Sequence, residues 1–239
     1  MAFVVLLSMT ALAATGRYDQ QIQQAVSLKI HDAKQLQRVN STVEDGIVTL
    51  TGSVNLYQDK LDAAKKAKKV GHVTGVRNNI EVAGQTVPDH QLEQKLAKKL
   101  AYDRVGYFDN TFNYFALNVK DGVVTLTGDA VWSVPKDSAL DIVARMPGVK
   151  DVVNDVTVLP TSNFDDSIRV RTARAIYRDS VLSRYASDPV HPIRIVVDNG
   201  HVTLYGKVQS TMDKNIAGIR ANSVPGAFSV DNKLEVDRS

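Results

Sequence analysis

Between residues 88 and 159 the apolar positions change period three times. Leu92, Leu96 and Leu100 recur at i, i+4 and i+8 after Pro88-Asp89, which predicts an amphipathic helix with a narrow apolar stripe. Phe115, Leu117 and Val119 then alternate with Ala116 and Asn118. Asp121-Gly122 demands a tight turn, and Val124 and Leu126 carry the period of two onward, so this stretch reads as a β-hairpin. A second helix places Ala139 and then Met146 toward a core and is stopped by Pro147-Gly148, after which Val152, Val156 and Val158 predict a final strand. The order is helix, strand, strand, helix, strand.

The same order is written three times. DGIVTLTGSV at Asp45 returns as DGVVTLTGDA at Asp121 and as DNGHVTLYGKV at Asp198, the last read with Asn199 inserted at the turn. Each is followed by a helical stretch and a matched ending, VRNNIEV from Val76, VVNDVTV from Val152 and VDNKLEV from Val230. Gly52, Gly128 and Gly206 are 76 and 78 residues apart, and so are Asn78, Asn154 and Asn232, so the landmarks within a unit keep their spacing. Ala63, Ala139 and Ala217 stand in register on the second helix, where small side chains allow close approach to a sheet. Inward positions recur at Val39 and Val43 and at Ile193, Ile195 and Val197, with Ser41 the exception.

A strand joined to a later strand through a helix returns parallel by a right-handed crossover. The fold class expected is therefore α+β: three tandem αββαβ modules, each a mixed three-stranded sheet covered on one face by two helices. The modules fall at residues 17–84, 87–159 and 163–237. At roughly 75 residues each, such units are marginally stable alone.

The closing V-x-N-x-V-x-V, the Pro-Gly stop, the Ala-bearing helix and the hairpin DG-V-V-T-L-T-G together resemble the BON domain, named for bacterial osmotically induced and nodulation-related proteins. Unit two matches best. Unit one replaces Pro-Gly with Gly71-His72, and unit three carries Tyr205 where the others have Thr51 and Thr127. The resemblance implies an αββαβ module of a bacterial envelope protein, usually periplasmic, that binds phospholipid surfaces or envelope proteins and is linked to osmotic or envelope stress. It implies no active site.

Composition adds a compartment and a mild charge bias. Phe3 to Leu12 is an apolar run of signal-peptide length, and Ala11-Leu12-Ala13 places small residues at the two positions a signal peptidase reads, so residues 1–13 are expected to be an export signal. No Lys or Arg precedes the run. With no cysteine, the chain has no disulfide, thiol nucleophile or thiolate metal site. A formal net charge of +3 favours anionic partners without pointing to nucleic acid.

The residue types that carry chemistry are scattered. His31, His72, His90, His191 and His201 form no helical metal-binding pair, and no glycine-rich loop precedes a Lys-Ser or Lys-Thr. Asp165-Asp166 opens a helix, where capping and the helix dipole account for both carboxylates. No catalytic residue, metal, cofactor or small-molecule substrate is expected.

Three surface features are candidates for binding. Arg171, Arg174 and Arg178 lie at i, i+3 and i+7 along one flank of a helix, positioned to meet lipid phosphates, with Asp166 and Asp179 as partly balancing charges. Lys65, Lys66, Lys68 and Lys69 end the second helix of unit one, where they also complement its dipole. Trp132, placed where Leu56 and Ser210 sit in the sister units, either anchors a surface or fills a seam between units, and Tyr107 and Phe108 occupy a longer connection nearby. Three arginines contribute about 3 kcal/mol at an anionic membrane, weaker than millimolar binding, while linked modules raise apparent affinity by about 10² or more if their basic faces point the same way.

The expected function is thus a non-catalytic, periplasmic envelope protein whose modules together engage anionic phospholipid or envelope components. The alternative is a chaperone-like periplasmic protein that uses open sheet edges to bind exposed segments of other proteins.

Overall fold

The computed structural model describes residues 9–101, 110–186 and 192–237. Three helices, three short 3₁₀ turns aside, open the three repeats: α1 (Met9–His31), α3 (Asp89–Ala101) and α5 (Asn163–Tyr177). In module one, α1 is followed by β1 (Val39–Glu44), β2 (Ile47–Val54), α2 (Tyr57–Lys68), β3 (Gly75–Asn78) and the short β4 (Glu81–Val82). In module two, α3 is followed by β5 (Tyr114–Lys120), β6 (Val123–Ala130), α4 (Ser133–Ala144) and β7 (Asp151–Val158). Module three runs α5, β8 (Arg194–Asp198), β9 (His201–Tyr205), β10 (Lys207–Val208), α6 (Thr211–Asn222), β11 (Ser229–Asn232) and β12 (Glu235–Val236). The described chain groups into two compact units, one containing module one and the other module three with most of module two.

In every module the second strand is central. The orders are β1-β2-β3, β5-β6-β7 and β8-β9-β11. The hairpin pairs are antiparallel, as in Val43 opposite Val48 and Val197 opposite Val202, whereas β2 with β3 and β9 with β11 are parallel across the intervening helix. This is the mixed αββαβ sheet that the periodicities predict.

Each opening helix buries an apolar stripe. Ile22, Val26 and Ile30 of α1 pack with Val39, Val48, Leu50, Ala63 and Ala67 in one core. Leu92 and Leu96 are fully buried on α3. In module three Ile168 and Ile176 meet Ile193, Ile195, Val197 and Ala217. Ala63, Ala139 and Ala217 are all buried, and a larger side chain there would push helix from sheet, at a cost of about 1–3 kcal/mol.

Two backbone positions explain the repeated phrase. The turn residues Asp45-Gly46, Asp121-Gly122 and Asn199-Gly200 all have positive φ, the pair of left-handed conformations that joins strands twisting with the right hand. Asn199 is therefore not an insertion. It occupies the place of Asp45 and Asp121, and Asp198 is the last residue of β8. Further along, Gly52, Gly128 and Gly206 have φ of +105°, +127° and +123°, and a Cβ on Gly52 or Gly128 would stand 2.0 Å from the carbonyl oxygen of Arg38 or Tyr114.

The Asn of the closing motif latches strand to helix. Asn78 Nδ2 donates to the Lys60 carbonyl at 2.7 Å while its Oδ1 accepts from the Ile80 amide. Asn232 repeats both bonds with Lys214 and Leu234. Lys60 and Lys214 thus meet the latch through their backbone carbonyls.

Candidate functional site

Helix α5 carries Arg171 and Arg174 on its exposed flank, with Arg178 at its C-cap. Ser162 caps its start, with Oγ accepting from the Asp165 amide at 3.1 Å. Capping and dipole do not account for Asp165, however. Its carboxylate is 3% exposed and reaches past the helix to the hairpin tip, accepting from Asn199 and Gly200. Asp19 and Asp89 make the same bonds to Asp45-Gly46 and Asp121-Gly122, so this aspartate is a structural clamp in every module.

The four arginines of the α5 region divide by direction. Arg169 is turned inward, 2% exposed, donating from Nη2 to the Val197 carbonyl and pairing with Asp166 at 2.5 Å. Arg171, Arg174 and Arg178 are exposed. Arg171 Nη1 donates to the Pro225 carbonyl at 3.1 Å, which fixes it beside the turn after α6. Arg174 lies between two shallow grooves, one lined also by Phe112, Val170 and Tyr177, the other by Asp166, Ser167 and Arg171. The exposed Val170 lines both grooves beside Arg174, an apolar side chain next to the guanidinium groups.

The carboxylates that the sequence places near this stripe are spent on other cations. Asp166 serves Arg169, and Asp179 serves Arg220 of α6 at 2.7 Å. The hydrogen bond from the Val181 amide, with help from Arg220, holds the Asp179 carboxyl below its ordinary value. The positive charge of Arg171, Arg174 and Arg178 is therefore less balanced than the sequence suggests.

The lysine cluster is divided by burial. Lys65, Lys68 and Lys69 are exposed and Lys66 is half-buried, with Lys69 forming the C-cap of α2 and its carbonyl accepting from Lys29 Nζ at 3.3 Å. Exposed Leu28 and Leu61 belong to the same two helices. Trp132 is 45% exposed, directly before α4 and close in sequence to exposed Val134. Tyr107 and Phe108 lie outside the described residues, as does the start of the apolar N-terminal run; α1 begins within that run, at Met9.

Sequence reasoning missed the aromatic pair at the tip of module three. Phe228 is 71% exposed, and its ring centroid lies 5.7 Å from that of the half-exposed Phe164. The register carried a signal, since position 228 is Thr74 and Lys150 in the sister modules, residues that belong to solvent.

Other clusters have structural employment. Asp213 accepts from Tyr185 Oη at 2.6 Å and from Arg184, while Tyr185 Oη accepts from the Gln209 amide, tying the turn at Ser183–Ala186 to the start of α6. His31 contacts Ser27, His72 faces Tyr18 and His201 meets Ser229 at 2.7 Å, while His191 lies outside the described residues. Among the described residues no three His, Cys, Asp or Glu converge as a metal site, and no helix is long and apolar enough to cross a membrane.

Strand β8 has a neighbour in module two. It packs against the 3₁₀ turn Asn110–Phe112, and Val196 on its outward side is buried.

Osmotically-inducible protein Y of Escherichia coli K12 is 29% identical over 137 residues, covering 53% of this chain and 64% of that protein, so the chain spans less than two thirds of its relative's length. Among solved structures, CdsD, a structural protein of the type III secretion system of Chlamydia trachomatis, aligns at 14% identity over 91% of this chain and 92% of its own, with a TM-score of 0.27. The periplasmic domain of the type III secretion inner-membrane protein PrgH from S. typhimurium aligns at 12% identity over 89% and 100%, with a TM-score of 0.22. The BON domain model matches residues 18–84, 88–160 and 173–238, and with it the hairpin, the Ala-bearing helix and the closing Asn of all three repeats: the chain belongs to the BON domain family.

Proposed function

We propose that this is an exported, non-catalytic protein of the bacterial envelope whose BON modules associate with anionic phospholipid surfaces, with a role in osmotic or envelope stress. The observation that carries the lipid reading is the outer flank of α5. Arg171, Arg174 and Arg178 project from one side around Val170, and their sequence-adjacent carboxylates are engaged by Arg169 and Arg220. Exposed guanidinium groups beside an apolar strip match the boundary between headgroups and acyl chains. The name of the osmotically inducible relative supports the stress connection, and the apolar N-terminal run supports export to the periplasm. Modules 17–84, 87–159 and 163–237 act together in this reading, because one basic flank alone is too weak to hold a membrane.

Co-sedimentation of the chain lacking residues 1–13 with neutral and anionic vesicles tests this. Binding is expected only to anionic vesicles, to fall as salt rises, and to drop about tenfold or more in the Arg171→Ala, Arg174→Ala, Arg178→Ala variant. Equal binding to neutral vesicles, or none to either, overturns the reading.

A further inference from the structure

We propose that Phe164 and Phe228 form an aromatic wedge that enters the acyl region of an anionic bilayer while Arg171 meets the phosphates above it. The inference rests on the phospholipid reading and adds a penetrating element to a surface otherwise read as electrostatic.

The two rings share one end of module three. Phe164 is the second residue of α5, and Phe228 follows the turn Pro225-Gly226 just before β11. The chain exposes 48% of Phe164 and 71% of Phe228, a large apolar surface for a module that buries its other aromatic positions more fully, as at Tyr185. At 5.7 Å and a 36° tilt the rings support each other without covering each other.

Their platform is rigid. Phe228 lies over Gly200, where an added Cβ would come within 2.6 Å of the ring, and Gly200 is held by the Asp165 carboxylate. Phe164 lies beside Gly226, 3.6 Å from where a Cβ would stand. The His201 ring approaches Phe228 edge-on at 6.1 Å. A wedge fixed this way enters a bilayer without first losing the conformational freedom of a loose loop.

The charges select the occupant. Arg171 is tied to Pro225, three residues before Phe228, and Arg174 and Arg178 continue the positive flank. Of the nearby carboxylates, Asp166 is paired with Arg169 and Asp165 is buried against the turn amides, while the exposed Asp198 accepts from the neutral Asn199 side chain and keeps its charge. Rings at the end of a helix flank that carries guanidinium groups complement an interface with anionic headgroups outside and hydrocarbon within.

Trp132 is the sole tryptophan of the chain, so a Trp132→Phe background leaves a silent protein into which one reporter can be placed. Phe228→Trp, and separately Phe164→Trp, would be mixed with phosphatidylglycerol-containing vesicles whose acyl chains carry bromine. Each reporter is expected to shift to the blue and to be quenched by the bromines. In native sequence, Phe164→Ala with Phe228→Ala should weaken vesicle affinity about tenfold or more while the thermal transition persists. Vesicles that sediment the protein without quenching either reporter overturn the wedge and leave the electrostatic reading standing. Failure of the native chain to sediment at all overturns both.

Discussion

The carboxylate of Asp165 holds the tip of the hairpin that begins about thirty residues after it: Oδ1 stands 2.8 Å from the Gly200 amide and Oδ2 3.1 Å from that of Asn199. A two-residue turn with positive φ at both positions leaves its amide donors pointing outward, and a buried carboxylate satisfies two at once. Asp165→Ala should destabilise module three by about 1–3 kcal/mol, with Asp165→Asn between it and the native chain, because one amide oxygen replaces two charged acceptors. Chemical denaturation gives the magnitude, and hydrogen exchange at Asn199 and Gly200 gives the location. Unchanged protection at those two amides in the Ala variant would show that the clamp is dispensable.

Gly52 and Gly71 should respond in opposite ways to the same methyl group. At Gly52, with φ of +105°, a Cβ meets the Arg38 carbonyl at 2.0 Å, so the hairpin must open to accept it; Gly52→Ala is expected to cost about 2 kcal/mol or more. At Gly71 no atom lies within 4 Å, and Gly71→Ala should stay within about 0.5 kcal/mol of the native chain. Paired thermal melts decide the matter, and equal losses would sink the steric account.

Tyr114 stacks on Tyr205 at 3.8 Å with the rings 4° from parallel, and Lys233 lies 5.5 Å from the Tyr205 ring centre. Burial and the neighbouring Tyr205 raise the Tyr114 hydroxyl above its ordinary value. The stack joins modules two and three through a residue that departs from the repeat, since Tyr205 replaces the Thr51 and Thr127 of the sister modules. A double-mutant cycle of Tyr114→Ala and Tyr205→Ala should show about 0.5–1.5 kcal/mol of coupling. Strict additivity would remove the stack as a link between the modules.

Tyr177 donates to the Ile193 carbonyl at 2.6 Å, and burial pushes its hydroxyl up to about 12. The folded chain therefore holds this proton more tightly than the unfolded chain does. The resulting stability is complete below about pH 10 and is lost as pH rises through about 12, amounting to about 2–3 kcal/mol over that window. Tyr177→Phe should lower stability near neutrality by about 1 kcal/mol, the worth of its hydrogen bond, and flatten the alkaline decline. Denaturation curves between pH 9 and 12 check both, and a variant whose decline runs parallel to the native one would assign the alkaline loss to other groups.

The αββαβ order was legible because each of its parts is local. Leu92, Leu96 and Leu100 declare a helix within nine residues, and Asp121-Gly122 declares a turn within two. Triplication then showed which features recur. The arginine flank was equally legible, since i, i+3 and i+7 on a helix follow from its geometry. Its electrostatic setting was not. Asp179 pairs with Arg220, 41 positions away, and Asp166 is taken by Arg169 only because Arg169 turns toward the sheet and reaches the Val197 carbonyl.

Asp165 and Phe228 mark the same boundary. As letters, one is a first-turn acid and the other an apolar residue before a strand, which suit capping and core packing. Their roles were decided when the crossover helix carried β11 alongside β9, bringing the hairpin tip under the Asp165 carboxylate and the turn after α6 beside Phe164. Periodicity and turn chemistry are encoded over a few residues, and the module, its threefold repetition and the place of the basic flank follow from them. Which charges are spent, which aspartate clamps a turn and which aromatic rings face solvent depend on residues tens of positions apart, and only the packed sheet and helices decided them.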